Sequence, residues 1–464
     1  MFPFAHSPRA TIAVASIAAA SCARAPSASV HLGEAAAVSA TTTVGTAPMF
    51  AMSTAGTQAV AWVSAPNGGT DGRLYVSVAN ASPVEVRDSL GPVEAHGEAP
   101  PKLAFAPDGA LFAIYTVGRV QAGERFPRSA LRLVASRDSG KNWTAPVTVT
   151  DGPAFGSHSF HALHVAGDGT VYVSWLGKSD GTAPVMAMAA DGEMASMSHA
   201  AHAAQQGSPA AHEASAAWIT RSTDGGKTWA PRVRVDMGEA CPCCRTALAT
   251  SKDGTLFMAW RHVFTGGIRD IVLARSSDQG ATWSEPVRVH ADDWTFDACP
   301  HAGPAIATDD RGRLHVTWWT GKEGSAGVYY TQSVDGGRTF APATPLGVAK
   351  FSRPAHVQMA LAPNNRVIVA WDDGTKQMPQ VVFRASSDGG AHFADAAEVS
   401  TAGRAASFPV LGVARDSIAI AWSEVSAETA TAAAAAAASK DRMAPKGLEA
   451  VGEAQVFMRR GTIQ

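Results

Sequence analysis

The sequence predicts an all-β chain, a β-propeller of four-stranded blades, and three observations predict it. A short turn motif recurs five times. A small-residue strand ending in tryptophan recurs between the copies. Paired turn residues such as Asp253-Gly254, Asp168-Gly169 and Asn364-Asn365 separate the strands, and such pairs close hairpins because they tolerate positive φ. One supersecondary unit repeated about every fifty residues is the mark of a propeller, in which each blade buries its faces against its neighbours.

The turn motif reads SRDSGKNW from Ser136, STDGGKTW from Ser222, SSDQGATW from Ser276, SVDGGRTF from Ser333 and SSDGGAHF from Ser386. Its aspartates stand at Asp138, Asp224, Asp278, Asp335 and Asp388, at intervals of 86, 54, 57 and 53 residues, so one repeat carries an insertion. The residue types suit a hairpin end. Aspartate accepts hydrogen bonds from backbone N–H groups ahead of it, glycine supplies positive φ, and the aromatic ring covers the turn. The S-x-D-x-G-x-x-aromatic pattern resembles the Asp-box, or BNR repeat, of the sialidase-like β-propellers.

The tryptophan strands are AVAW ending at Trp62, VYVSW at Trp175, TLFMAW at Trp260, LHVTW at Trp318, VIVAW at Trp371 and AIAW at Trp422, with Tyr115 in the same place in one further unit. These rings are read as packing between blades. A third strand leads into each Asp-box and a fourth, such as 286–290, leaves it. Counted this way there are seven units, starting near residues 49, 101, 157, 241, 299, 354 and 407. Six blades, as in sialidases themselves, is the alternative. The last unit lacks an outer strand after Phe457-Met458-Arg459, and residues 27–32 are expected to supply it and close the ring.

The expected division is a leader over 1–25 and one propeller over 27–464, interrupted by a Met/His-rich insert at 186–215 and an Ala-rich loop or short helix at 429–439. In the leader, His6 and Arg9 precede an apolar run and small residues, as in an export signal. Ala19-Ala20-Ser21-Cys22 resembles a bacterial lipobox with alanine for the usual leucine, so Cys22 is a candidate lipid anchor and the one membrane attachment expected; Ala23-Arg24-Ala25 is a rival cleavage site. Either route implies an oxidising compartment, periplasmic, outer-membrane-anchored or secreted. The net charge of -2, with basic residues scattered, argues against nucleic acid as a partner.

Aligning the repeats on their tryptophans places His158, Cys243 and His301 at one equivalent position in three consecutive units, with Glu98 in the unit before. Two residues earlier stand His96, Cys241 and Cys299. These positions open the first strand of each blade, which is innermost and borders the mouth of the central channel. Residues two apart on a strand share a face. Cys241, Cys243, Cys299 and His301 are therefore expected to converge, with His158, His161 and His356 nearby. Cys244, also a candidate ligand, is expected to point the other way.

Three thiolates and an imidazole suit tetrahedral zinc, whereas thiolate and thioether donors favour Cu(I). The insert holds Met186, Met188, Met194, Met197, His199, His202 and His212, which moves the expectation from zinc to copper. Four cysteines in an exported chain also suit two disulfides, with Cys241 and Cys299 stapling neighbouring blades. Both readings stand at this point.

The sialidase resemblance implies an Arg-Ile-Pro motif, three arginines gripping a carboxylate, and a Tyr-Glu nucleophile pair with an aspartic acid. The chain has no Arg-Ile-Pro; Ser352-Arg353-Pro354 comes nearest, late in the sequence. None of its tyrosines, at 75, 115, 172, 329 and 330, maps to the nucleophile. Hydrolysis of glycosides needs two placed carboxylates, and Asp297, Asp372, Asp373 and Glu424 are the ones available. The leading expectation is thus a metal-binding or metal-handling propeller. A sialidase-like glycosidase or glycan-binding propeller is the alternative, and a scaffold for protein partners stands third.

Overall fold

Strands such as Leu314–Thr320 and Val171–Lys178 are buried along all or nearly all of their length. A sheet built from them has no face that tolerates water, so each blade must stack on a neighbour at both sides. The computed structural model describes residues 29–39, 45–65, 71–119, 128–178, 215–236, 238–376, 378–431 and 454–464. These residues form seven antiparallel sheets with almost no helix, and each sheet is one blade.

From the channel outwards, the first blade is Thr46–Met52, Gln58–Ser64, Arg73–Val78 and Val84–Val86. The second is Lys102–Phe105, Leu111–Arg119, Arg128–Ser136 and Val147–Thr148, and the third Ser159–Val165, Val171–Lys178, Ser215–Ser222 and Val233–Arg234. The fourth is Ala247–Thr250, Leu256–Phe264, Ile268–Ser276 and Val287–Arg288, with Glu239–Ala240 also paired to its second strand. The fifth is Ala305–Thr308, Leu314–Thr320, Ala326–Ser333 and Thr344–Ala349, and the sixth Gln358–Ala362, Arg366–Asp373, Gln380–Ser386 and Ala397–Glu398. The seventh is Arg404–Ala414, Ser417–Ser426, Gln455–Ile463 and, returning from the other end of the chain, Val30–Leu32. The innermost strands touch one after another around the ring, the seventh meeting the first.

The ring closes as the sequence suggests. Val30 pairs with Ile463 and Leu32 with Gly461. A side chain at Gly461 would meet the His31 carbonyl oxygen at 1.9 Å, so glycine is what lets the closing strand approach.

All five Asp-boxes span the turn between the third and fourth strands of their blades, away from the channel. In the box at Ser222, its hydroxyl donates to Asp224 Oδ1 (2.7 Å) and accepts from Gly226 N–H (2.8 Å). Thr228 donates to the same carboxylate through N–H (3.0 Å) and Oγ1 (2.6 Å). The other four boxes repeat the serine, aspartate and glycine contacts. Gly226 has φ +84, a conformation open to glycine at little cost.

Seven inter-blade cores lie between successive blades, and each contains one of the predicted second-strand aromatics: Tyr115, Trp175, Trp260, Trp318, Trp371, Trp422 and Trp62. The leader with Cys22, residues 186–214 of the insert and 432–439 of the Ala-rich segment lie outside the described residues. Residues 427–431, at the start of that segment, form one helical turn.

Trp260 is fully buried, and removing a buried tryptophan side chain costs about 3–5 kcal/mol. Trp260→Ala is expected to lower stability by that order in chemical denaturation. A loss below about 1 kcal/mol would show that the blade interface does not depend on the ring.

Candidate metal centre

The chain leads into the fourth blade through Glu239–Ala240, pairs as Ala247–Thr250 only after an interruption, and turns over 241–246. Pro242 removes a backbone donor where a ladder would need one. The chain therefore coils instead of running extended. Cys241 N–H donates to the Arg261 carbonyl (2.8 Å), which anchors the turn to the second strand. Coiling brings three buried thiols together: Cys241 Sγ lies 3.8 Å from Cys243 Sγ and 3.4 Å from Cys244 Sγ. The expectation that Cys244 points away is thus corrected. Alternation holds only in extended backbone, and here there is none.

The segment leading into the fifth blade carries Cys299-Pro300-His301, again a Cys-Pro step outside regular structure. His301 has φ +55. A side chain at Gly303 would meet the Arg245 carbonyl oxygen at 2.2 Å, so glycine permits the two lead-in segments to press together. The ligand atoms of Cys243, Cys299 and His301 then lie within 4.8 Å of one another, as do those of Cys241, Cys243 and Cys244. Cys243 belongs to both groups. Cys299 is exposed and the other three thiols are buried, all four being unbonded to one another, so the cluster runs from solvent into the protein. His301 stacks on Phe160, ring centroids 6.0 Å apart, with His96 edge-on at 6.5 Å.

Two arginines that sequence reasoning missed set the electrostatics. Arg269 Nη1 donates to Cys241 Sγ at 3.1 Å. Arg261 is fully buried, and among the described residues its guanidinium donates to the carbonyls of Ala302, Trp319 and Arg269. Hydrogen bonds from Cys243 and Cys244, then the charges of Arg269 and Arg261, hold the Cys241 thiol well below its usual range. Burial pushes Cys243 and Cys244 up, while a hydrogen bond with Cys243 lowers Cys299. Burial lowers His301, leaving a neutral imidazole with a lone pair to offer. An arginine directly after a tryptophan, in a strand that is apolar up to that point, was the available signal for Arg261.

Among the described residues, the other candidate histidines share no ligand group with these thiols, although the charge of His356 helps to lower the His301 pKa. His158 Nδ1 bonds the Ser129 carbonyl (2.7 Å), and its ring sits against Trp175. His161 is buried beside Lys102; burial and that charge lower its pKa well below the ordinary value. His356 is held between Asp372 at Nδ1 and Glu98 at Nε2, both at 2.6 Å. Glu98 leads into the second blade and His356 into the sixth. These blades are not neighbours, so the contact crosses the channel mouth. Burial alone would lower the His356 pKa, but Asp372 and Glu98 overcome it and push it up to about 10. A protonated imidazole has no lone pair for a metal.

The tyrosines lie on second and third strands, not on the innermost ones. Tyr115 donates to Asp88 (3.0 Å), which also pairs with Arg132, and the Tyr330 hydroxyl meets His315 at 2.6 Å. Of the carboxylates, Asp373 accepts from Thr375 in a turn and Glu424 accepts from Trp422 and pairs with Arg404.

The model of the family described as BNR repeat-like domain matches residues 183–420. The chain belongs to the BNR repeat-like family. No curated protein matches it at a significant level. Among solved structures, this BNR repeat-like protein is similar to a protein of unknown function from Dyadobacter fermentans, with 17% identity, a TM-score of 0.50, and 94% of this chain and 99% of that one covered. It is similar to a polysaccharide lyase of family PL25, an ulvan lyase bound to -[GlcA(1-4)Rha3S]-, with 11% identity, a TM-score of 0.52, and 82% and 91% covered. A Hadza microbial sialidase follows at 16% identity and a TM-score of 0.48, with 86% and 76% covered. At such identities the likeness is one of fold, and function must be argued from the site.

His356 allows a signed pH test. Its folded pKa is raised from 6.5 to about 10, so its contribution to stability is whole below pH 6.5 and is lost as pH rises through about 10. In chemical denaturation, the stability gap between the wild type and His356→Asn is expected to close across that interval. A gap that does not change with pH there would mean that the imidazole is neutral in the folded protein.

Proposed function

We propose that this propeller binds a soft transition metal, copper in the cuprous state, at its channel mouth and holds or hands on the ion in an exported compartment. The observation that supports this most directly is the meeting of Cys243, Cys299 and His301 within 4.8 Å, one ligand exposed and one buried. A structural zinc site closes four ligands around the ion. An exposed thiolate at the rim of a buried set suits an ion that must come and go. Thiolate-rich donor sets select Cu(I), and the Met/His-rich segment at 186–215 supplies further soft donors in the same chain. The glycosidase reading has less support, because the tyrosines stand on second and third strands and Asp372 is engaged by His356.

The test is anaerobic titration of the reduced protein with Cu(I), and separately with Zn²⁺, against a chromophoric chelator. Cys243→Ser and His301→Ala are each expected to weaken Cu(I) binding at least about tenfold, or about 1.4 kcal/mol. Affinity is expected to fall as pH is lowered, because the thiols must lose protons to bind, and oxidation is expected to abolish it. Weak binding that is equal in all three proteins would return the cysteines to a structural role. Release of sialic acid from a generic glycoside is expected to be negligible. Robust release that persists after all four clustered cysteines become serine would establish the glycosidase instead.

A further inference from the structure

We infer that the channel mouth holds two cuprous ions, bridged by the Cys243 thiolate. This rests on the soft-metal reading above and adds a second, buried site to it. Two donors on one ion lie at most two bond lengths apart, about 4.6 Å for metal–sulfur bonds of about 2.3 Å. The five donors divide into two groups that meet this limit closely, Cys241 with Cys243 and Cys244, and Cys243 with Cys299 and His301. They do not form one group of five. A single ion therefore leaves two donors idle whichever group it takes, and Cys243 is the one donor within reach of both.

The inner group already has the shape of a site. Three sulfurs around one ion at about 2.3 Å lie about 4 Å from one another when trigonal and about 3.8 Å when tetrahedral. The observed separations from Cys241 are 3.8 Å to Cys243 and 3.4 Å to Cys244. Small adjustments of side-chain torsions separate the two arrangements, and no strand need move.

Charge is compatible with the same count. Four thiolates carry four negative charges, and the guanidinium groups of Arg269, bonded to Cys241, and buried Arg261 supply two positive ones. Two Cu(I) ions bring the whole to neutrality. With one ion a thiol left idle keeps its proton and stays neutral, so charge alone permits either count and the grouping of the donors decides between them. His301, neutral, does not alter the balance. A thiolate sulfur has lone pairs enough to bridge two soft ions. As each metal–sulfur bond forms, the thiol proton passes to solvent, and no electron is transferred.

Burial orders the two sites. The outer ion meets exposed Cys299, and the inner one is enclosed by Cys241 and Cys244. The bridge then gives a path inward by exchange of one sulfur ligand at a time.

The experiment titrates the full reduced chain carrying Cys22→Ser with chelator-buffered Cu(I), and reads stoichiometry and copper-edge X-ray absorption. This parent is expected to take two equivalents through the clustered thiols and to show a short copper–copper vector. Cys244→Ser is expected to lose one equivalent and the vector while the His301-dependent ion stays. His301→Ala is expected to lose the outer ion, and Cys243→Ser both. One tight equivalent without the vector, unchanged by Cys244→Ser, would overturn the second ion yet leave the single-ion reading intact. Two equivalents that both survive Cys243→Ser would place the copper on the Met/His-rich segment and overturn the inference. No binding by the parent would overturn the soft-metal reading itself. The stoichiometry and spectrum of the parent need no variant, so a misfolded mutant does not blunt the test.

Discussion

A sheet whose second strand is as buried as Leu314–Thr320 cannot present either face to water, and it is this constraint that the rest of the molecule depends on. Stacking on both sides is satisfied only by a closed ring, and closure demands a donor for the missing outer strand of the last blade. Val30–Leu32 meets that demand, so the two ends of the chain are tied by backbone pairing. The ring in turn forces seven lead-in segments, one for each blade, into one narrow mouth. Because these segments precede or interrupt the innermost strands, they are where polar and thiol side chains collect without breaking a ladder.

The fold was legible because its signals are local. An Asp-box needs only a serine, an aspartate, a glycine and an aromatic at fixed spacing, and each makes its contacts within a few residues. The tryptophans were equally plain, since each interface calls for one large flat ring at the same depth. Ring closure was readable as an arithmetic shortfall of one strand.

The site was legible in register but not in conformation. Repeat alignment set Cys243 and His301 at one level and Cys241 and Cys299 at another, and the fourth and fifth blades do meet there. It misdirected Cys244 because the alignment treats each lead-in segment as extended, whereas Pro242 and the turn that follows coil it. It grouped His158, His161 and His356 with the cysteines because register says nothing of partners. The partner of His356 is Glu98, 258 residues away across the channel, and no periodicity in the sequence announces a contact between blades that are not neighbours. Arg261 and Arg269 were missed for a related reason: their importance lies in what they face.

The mouth contains two ionic assemblies that differ in how their charge is settled. Glu98 and Asp372 are matched by protonated His356 and by Arg245, which is buried and close enough to feel both carboxylates. That network is balanced in charge as it stands, and its contacts join the second blade to the sixth. The thiol cluster is different. Among the described residues the hydrogen bonds of Arg261 go to carbonyl oxygens, and its charge is one of those that hold the Cys241 thiol below its usual range. A disulfide between Cys241 and Cys244 would be neutral and would leave buried Arg261 without an anion, an expensive arrangement. On the proposed reading, thiolates bound to a soft metal ion would keep anionic sulfur beside the arginine. The arginines thus weigh for the proposed metal site and against a disulfide, on grounds that a count of cysteines cannot reach.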